Sequence, residues 1–214
     1  MHSAAPNLEK LRSFIIKFGQ LLGEGRPEED VLCLGAPLLR TLVAEDDWLP
    51  APFAEPGPRQ YRQYLLHADS AERFCVAAFA WGPGEVSPIH DHCTWGLFGV
   101  LRGAERTQRY VEVRDPTTLR GWRVASLGES LRLEAGSVDV ISPSLGDIHR
   151  VSNALADRVT VSIHVYGANP ASLRRSIYGE DGSVRPFVTQ YANSWLPNIW
   201  ARHGGVGYAA MHGA

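Results

Sequence analysis

With 214 residues and a mass of 23.5 kDa, the chain has the length of a single domain, and 44% hydrophobic residues are enough for a packed core. A formal net charge of -2 gives no electrostatic reason to expect nucleic acid or an anionic membrane as a partner. Three scattered cysteines argue against a secreted disulfide scaffold. Met1–Glu9 is too polar for a secretory leader, and we expect a soluble, cytoplasmic protein with no membrane partner.

The first part of the chain is predicted to be helical. Apolar residues recur at spacings of three and four from Leu8 to Leu22, and Asn7 is a candidate N-cap. A second helical segment runs from about Pro27 to Asp46 and is interrupted near Gly35–Pro37, so it could form two short helices. Residues 1–58 are therefore expected to form a helical segment that packs on the rest of the domain.

After residue 58 the pattern changes to short β-like runs separated by Gly, Pro, Asp and Asn. Six or more short strands without intervening helices predict a sandwich or barrel. From Pro170 the periodicity fades, so residues 59–200 are expected to form a barrel with a wrapping arm, followed by a loose tail at 201–214. The predicted strands are Tyr61–Leu66, Phe74–Trp81, Trp95–Arg102, Arg106–Arg114, Gly121–Ala125, Ser137–Ile141 and Arg158–Tyr166.

Three histidines are candidate metal ligands. His90 and His92 are separated by one residue, so on a strand both imidazoles would project from the same face. Two neighbouring imidazoles can hold a divalent metal ion, and His149, expected on a short strand after a Pro/Gly turn, is the candidate third ligand. The alternative is an exposed loop in which the His-x-His pair is a coincidence.

A second polar cluster lies on the last predicted strand. Ser162, His164 and Tyr166 alternate with apolar residues, so they share one face of that strand. Burial of three polar groups is costly unless they form a hydrogen-bonded chain from hydroxyl to imidazole to phenol. Such a relay could position the phenol over a metal-bound ligand, whereas the alternative is an ordinary strand that faces solvent.

The glycine and histidine spacings resemble the paired motifs of the cupin superfamily. Together with the polar relay, they resemble the cysteine dioxygenase family of thiol dioxygenases, and the resemblance extends from about Tyr61 to Trp200. The two motifs are Gly84-x5-His90-x-His92-x3-Gly96-x6-Gly103 and Gly136-x6-Pro143-x2-Gly146-x2-His149-x3-Asn153.

This resemblance implies a mainly β fold: a single, jelly-roll-like cupin barrel with N-terminal helices. It also implies a non-haem Fe(II) centre that adds both atoms of O2 to the sulfur of a small thiol, which gives a sulfinic acid. The family would assign His90, His92 and His149 as iron ligands and Ser162, His164 and Tyr166 as the outer relay.

Three departures from the related patterns bear on the site and its substrate, one from cupins in general and two from the animal cysteine dioxygenases. Gly96 stands where many cupins carry a glutamate ligand, and the cross-link cysteine of the animal enzymes has no counterpart. Gln63 stands where the animal enzymes have an arginine for the cysteine carboxylate, and this resembles a bacterial branch that oxidises 3-mercaptopropionate. In that branch a later arginine binds the carboxylate, and Arg175 or its neighbour Arg174 matches it. Tyr61 is expected on the same strand face as Gln63 and could line the pocket.

Two other function classes stay open from the sequence. One is a non-enzymatic cupin that binds a metal ion or small ligand, and the other is a zinc-dependent hydrolase, because three histidines plus water also describe catalytic zinc. Neither class requires the Ser-His-Tyr relay, which favours the dioxygenase. The sequence favours 3-mercaptopropionate over cysteine as the substrate, because Gln63 replaces the arginine of the animal enzymes, and it leaves the oligomeric state open.

Overall fold

The structure is a computed structural model that describes residues 8–58 and 60–200. Two helices, α1 and α2, precede eleven strands, β1 to β11, within these ranges. None of the described helices is long and apolar enough to cross a membrane. The helices are Glu9–Gly23 and Glu28–Val43, and the strands are Arg62–Ala68, Cys75–Trp81, Ile89–His90, Gly96–Arg102, Ala104–Arg114, Trp122–Glu134, Val138–Ile141, His149–Asn153, Thr160–Tyr166, Arg175–Tyr178 and Val184–Phe187.

The strands form two antiparallel sheets. One has five strands in the order β1-β2-β9-β4-β7, and the other has six in the order β11-β10-β3-β8-β5-β6. This confirms the prediction of a mainly β, jelly-roll-like cupin fold with N-terminal helices. The two sheets face each other as in a jelly roll and do not close into a continuous barrel, because no ladder joins them within the described parts of the chain.

The five-stranded sheet is covered on both faces. Every residue of β2 and of β9 is buried, which explains why these strands contain long apolar runs. On β9, Val161, Ile163 and Val165 pack in the core under the two helices, and the residues between them point towards the six-stranded sheet. The functional side chains of β9 are therefore enclosed between the two sheets.

Helix α2 is continuous, so the predicted interruption near Gly35–Pro37 is wrong. Proline inside a helix costs roughly 3 kcal/mol, but the buried residues of α2 before and after Pro37 pack on the sheet and stabilise the helix. Gly35 allows close approach to α1, since a Cβ there would lie 2.8 Å from Phe18 Cε2. The candidate N-cap Asn7 lies outside the described residues.

The segment after Pro170 contains strands that the sequence analysis missed. β10 and β11 form a hairpin, and β10 also pairs with β3 through Ile177 and His90. Both strands have only four residues, too few to show clear alternation, and Pro186 weakens the pattern in β11. This hairpin extends the six-stranded sheet next to the histidine cluster. The expected tail at 201–214 lies outside the described residues.

Two glycine substitutions test the packing of the helices on the sheet. A Cβ at Gly99 of β4 would lie 2.9 Å from Val43 Cγ1 and 3.0 Å from Leu39 Cγ, whereas a Cβ at Gly19 of α1 would have its nearest contact at 3.8 Å. We expect Gly99→Ala to lower the free energy of unfolding by about 1–3 kcal/mol and Gly19→Ala to raise it by about 0.5–1 kcal/mol. Urea unfolding measures both, and an unchanged stability of Gly99→Ala would contradict the tight packing.

Candidate metal centre and active site

Three histidines meet between the two sheets. One ligand nitrogen from each of His90, His92 and His149 lies within 4.8 Å of the others. Antiparallel pairing of β3 with β8 brings His90 opposite His149. His92 lies beyond the end of β3, so the expectation that His90 and His92 share a strand is wrong. His92 reaches the cluster because the segment after β3 turns it inward, where it is almost fully buried.

The surroundings of the three rings leave their Nε2 atoms free for a metal ion. Nδ1 of His90 lies 2.9 Å from the Pro88 carbonyl oxygen, and Nδ1 of His92 lies 3.3 Å from that of Asp147. A carbonyl oxygen only accepts hydrogen bonds, so each Nδ1 must carry the proton and each Nε2 a lone pair. Nδ1 of His149 lies 3.4 Å from Thr107 Oγ1, a hydroxyl that can accept from an Nδ1–H, so this contact is compatible with the same arrangement.

Burial also keeps the rings neutral, which is the form that binds metal. It lowers the pKa of His90 to about 4 and holds the pKa values of His92 and His149 well below the usual range. Three neutral nitrogen donors without a carboxylate fit a divalent transition metal ion and leave its full charge available for anionic ligands.

The polar side chains of β9 form the expected hydrogen-bonded chain. Ser162 Oγ lies 2.8 Å from His164 Nε2, and His164 Nδ1 lies 2.9 Å from the Tyr166 hydroxyl. The His164 ring stacks on Phe79 with ring centroids 3.8 Å apart, and the Tyr166 ring stacks on His92 at 5.5 Å. Burial lowers the pKa of His164 and raises that of Tyr166, so both are neutral near pH 7.

The strand positions beside Tyr166 hold a glycine and a buried cysteine. Gly96 of β4 is one cross-strand neighbour, and a Cβ there would lie 3.2 Å from Tyr166 Cδ1. Cys75 of β2 is the other neighbour, and its thiol donates to the Ala168 carbonyl oxygen at 3.3 Å. Cys93 is exposed and follows His92 directly. The absence of a side chain at Gly96 lets the Tyr166 ring pack against this strand.

Arg175 is the arginine that faces the cavity. It is 4% exposed, its guanidinium lies over the Phe187 ring at 4.5 Å, and its two terminal nitrogens donate to the Asp91 carbonyl oxygen and to Thr189 Oγ1. Its Nε is buried without a hydrogen-bond partner among the described residues. Arg174 is exposed, so the structure resolves the choice that the sequence left open.

The predicted site residues are brought together around one small cavity. Tyr61 stacks on Trp81 with ring centroids 4.2 Å apart. Burial raises the pKa of Tyr61, and a hydrogen bond from Gln63 acts in the opposite direction. Ser162 is fully buried at the outer end of the relay, behind His164. The predicted residues that line the cavity are Tyr61, Gln63, His90, His92, His149, His164, Tyr166 and Arg175.

Sequence reasoning missed residues that support these groups from neighbouring strands. Thr107 of β5 contacts His149, and two residues earlier Glu105 is buried on the same face of the strand. The sequence contains a signal for these two residues. Glu105 and Thr107 are two positions apart on a strand that follows the first histidine motif, so both side chains can face the site. The Asp147 carboxylate accepts hydrogen bonds from the backbone N–H of His92 and Cys93, which holds the segment after β3 in place.

A family comparison agrees with this geometry. The model of the family described as cysteine dioxygenase type I matches residues 46–175, which is more than half of the chain. The chain belongs to the cysteine dioxygenase type I family. The matched range contains the three histidines, the whole relay and Arg175.

Several solved structures are also similar to the chain. A cupin superfamily protein from Desulfitobacterium hafniense is 13% identical, with 58% of this chain and 93% of that chain covered and a TM-score of 0.41. A conserved protein from Klebsiella pneumoniae with a double-stranded β-helix domain is 12% identical, with 65% and 93% covered and a TM-score of 0.41. A cupin 2 conserved barrel domain protein from Rhodopseudomonas palustris is 16% identical, with 58% and 70% covered and a TM-score of 0.39.

Membership of the cysteine dioxygenase family supports an oxidoreductase of the thiol dioxygenase type. The three-histidine cluster is a group that can hold the metal ion such an enzyme requires. The family match leaves the metal and the thiol unidentified.

Proposed function

We propose that the protein is a non-haem Fe(II) thiol dioxygenase that converts a small thiol carboxylate and O2 to the sulfinic acid, with 3-mercaptopropionate preferred over cysteine. The observation that carries this proposal is the buried Arg175 guanidinium, which lines the same small cavity as the three histidines. This lining offers a metal site for a thiol and a guanidinium for a carboxylate, the two groups that such a substrate carries.

The three histidines would hold the metal at the thiol end. All three Nδ1 atoms have partners of their own, and the carbonyl partners of His90 and His92 leave a lone pair on Nε2 of each ring. Fe(II), when bound, would supply coordination positions for the thiolate sulfur and for O2. Neutral ligands favour an anionic sulfur donor, because they leave the metal charge uncompensated.

Arg175 would bind the carboxylate at the other end. A buried arginine without a carboxylate partner is costly, and none of the carboxylates of the described residues forms an ion pair with it. Its Nε also lacks a hydrogen-bond partner among the residues that the structure describes. A substrate carboxylate would supply both missing interactions, and the planar guanidinium suits two parallel hydrogen bonds.

The lining of the cavity favours an acid without an amino group. Cysteine would bring an ammonium group into a space that already holds the Arg175 guanidinium. None of the described residues that line the cavity is acidic, so no side chain there would neutralise the second positive charge. Gln63 can hydrogen-bond a headgroup but offers no charge. An uncompensated second cation in this buried space is unfavourable, whereas 3-mercaptopropionate adds only an anion.

Tyr166 would act on the reacting end of the substrate. Its ring lies against His92 and its hydroxyl is held by His164. Its raised pKa keeps the phenol protonated near pH 7, so it can hold a proton next to the thiolate and O2. The aromatic rings of Phe79, Trp81 and Phe187 exclude water from the same space.

The substrate assignment predicts a selective effect of Arg175→Ala. We expect this variant to lower kcat/KM for 3-mercaptopropionate by about 10- to 100-fold, the scale of one charge-assisted interaction. Oxidation of cysteamine, which has no carboxylate, should be little affected. Oxygen uptake with each thiol in wild type and variant measures both effects, and Arg174→Ala, which removes an exposed arginine next to it, is the matched control.

Four outcomes would contradict the proposal. A higher kcat/KM for cysteine than for 3-mercaptopropionate in the wild type would overturn the substrate preference. An unchanged kcat/KM for the acid in Arg175→Ala would overturn the carboxylate site. Bound zinc with hydrolase activity, or tight iron binding without oxygen uptake on any thiol, would favour a zinc hydrolase or a non-enzymatic cupin instead.

A further inference from the structure

A buried carboxyl group lies at the outer end of the Ser-His-Tyr relay, where neither sequence motif includes it. Glu105 is on β5, is 2% exposed, and has Asn153 of β8 and Leu133 of β6 as its cross-strand neighbours. Its Oε1 atom is buried without a hydrogen-bond partner among the described residues. A buried carboxyl oxygen without a partner requires an explanation, because it carries a desolvation cost.

The groups that act on this carboxyl come from the relay itself. Burial raises the pKa of Glu105 to about 7, and hydrogen bonding from the Ser162 hydroxyl and the Trp81 indole limits that rise. The Trp81 indole N–H also donates to Ser162 Oγ at 3.4 Å. Ser162, Trp81 and the two cross-strand neighbours carry no charge. Glu105 can therefore be neutral or ionised near neutral pH without disrupting an ion pair.

We propose that Glu105 is the fourth member of the relay and a positioning residue that sets the direction in which the hydrogens of Ser162, His164 and Tyr166 point. The reversal of the relay can be tested without reference to the reaction, whereas its effect on catalysis rests on the proposed thiol dioxygenase function. The reason for the coupling is that Ser162 has a single hydrogen, which it can donate either to Glu105 or to His164 but not to both.

With Glu105 ionised, the carboxylate only accepts, so Ser162 donates to it. Ser162 Oγ then accepts from the Nε2–H of His164, and the unprotonated Nδ1 accepts from the Tyr166 hydroxyl, consistent with the 2.8 and 2.9 Å separations in the relay. In this state the Tyr166 hydrogen points away from the cavity, and its oxygen offers only lone pairs to a substrate.

With Glu105 protonated, every hydrogen bond in the chain is reversed. The carboxyl O–H donates to Ser162 Oγ, Ser162 donates to Nε2 of His164, and the Nδ1–H of His164 donates to the Tyr166 oxygen. The Tyr166 hydroxyl is then free to donate into the cavity. The two states differ by one proton, which is carried by Glu105, and they require opposite neutral tautomers of His164.

The tautomer of His164 is therefore the direct readout. The experiment uses the full-length 15N-labelled protein loaded with diamagnetic Zn(II), and long-range 1H–15N correlation spectra recorded from pH 5 to pH 9. The ring signals are assigned by their loss in His164→Gln. In the wild type we expect Nδ1–H at low pH and Nε2–H at high pH, with one midpoint near neutral pH. In Glu105→Gln the change with pH should be absent, and Glu105→Asp should restore it.

Glu85→Gln is the matched control, because Glu85 is a partly buried glutamate that accepts from the Gly82 backbone N–H outside the relay. It should retain the wild-type change in the His164 tautomer. A wild-type His164 that keeps one tautomer throughout, or a Glu105→Gln variant that still changes tautomer, would overturn the inference. Thermal unfolding of each variant shows whether the fold is retained. If Glu105→Gln does not fold, the wild-type pH series still tests the inference, because a His164 that keeps one tautomer overturns it.

Activity measurements separate this inference from the proposed function. In the Fe(II) enzyme, kcat for thiol oxidation should be about 10-fold or more higher on the acidic side of the pH at which His164 changes tautomer than on the alkaline side, and Glu105→Gln should abolish this difference. If the tautomer changes as expected but no thiol is oxidised, the proposed function fails and the relay assignment stands. If thiols are oxidised but the tautomer does not respond to Glu105, the relay assignment fails alone.

Discussion

His149→Ala is expected to lower the affinity of the protein for Fe(II) by more than about 100-fold, which exceeds the usual effect of losing an outer hydrogen-bond partner of a ligand. His149 supplies one of three neutral nitrogen donors, and the two that remain cannot complete the site. Iron content after anaerobic loading and dialysis measures the effect directly. Oxygen uptake with thiols should be lost in parallel.

Two further variants show whether the loss is specific to the ligand. His67→Ala removes a histidine that lies against Phe74, away from the cluster, and should leave iron binding unchanged. Thr107→Val removes the partner of His149 Nδ1 and should reduce iron affinity by about 10-fold. Circular dichroism shows whether His149→Ala keeps the native fold. If it does and still binds as much iron as the wild type, the assignment of His149 as a ligand is wrong.

Tyr166→Phe is expected to keep the iron and to lower kcat for thiol oxidation by about 100-fold or more, the range found when a positioned proton donor is removed. The substitution deletes the hydroxyl that hydrogen-bonds to His164 Nδ1 but keeps the ring that stacks on His92. Oxygen uptake and iron content, measured on the same preparation, separate a defect in catalysis from a defect in metal binding.

The matched control is Tyr64→Phe. Tyr64 lies on β1 and its hydroxyl donates to the Glu55 carbonyl oxygen at 2.6 Å, on the helix-facing side of the sheet. This variant should lose some stability and retain wild-type kcat. Turnover in Tyr166→Phe equal to that of Tyr64→Phe would show that the Tyr166 hydroxyl has no part in the reaction.

Much of the candidate site could be predicted because its signals are local. Ser162, His164 and Tyr166 alternate along one strand, and strand geometry alone puts them on one face, next to each other. The histidine motifs were equally visible, although His92 reaches the cluster from a turn rather than from the strand expected for it. A metal ligand set tolerates this difference, since it requires only that the three nitrogens converge.

Local patterns were misleading where packing outweighs intrinsic preference. Pro37 predicted a break in a helix that continues through it, because the buried face of α2 packs on the sheet. The hairpin of β10 and β11 was missed for the opposite reason, since its four-residue strands have little pattern of their own and are held by pairing with β3.

The sequence by itself therefore determined the fold class, the three histidine donors and the order of the relay, all of which depend on the spacing of residues along short segments. Only the tertiary structure decided that Arg175 rather than Arg174 faces the cavity, and that Glu105 lies beside Ser162. Both depend on strands that are distant in sequence and adjacent in space. Which face such a strand turns inward is set by its register with its neighbours, and no local pattern contains that register.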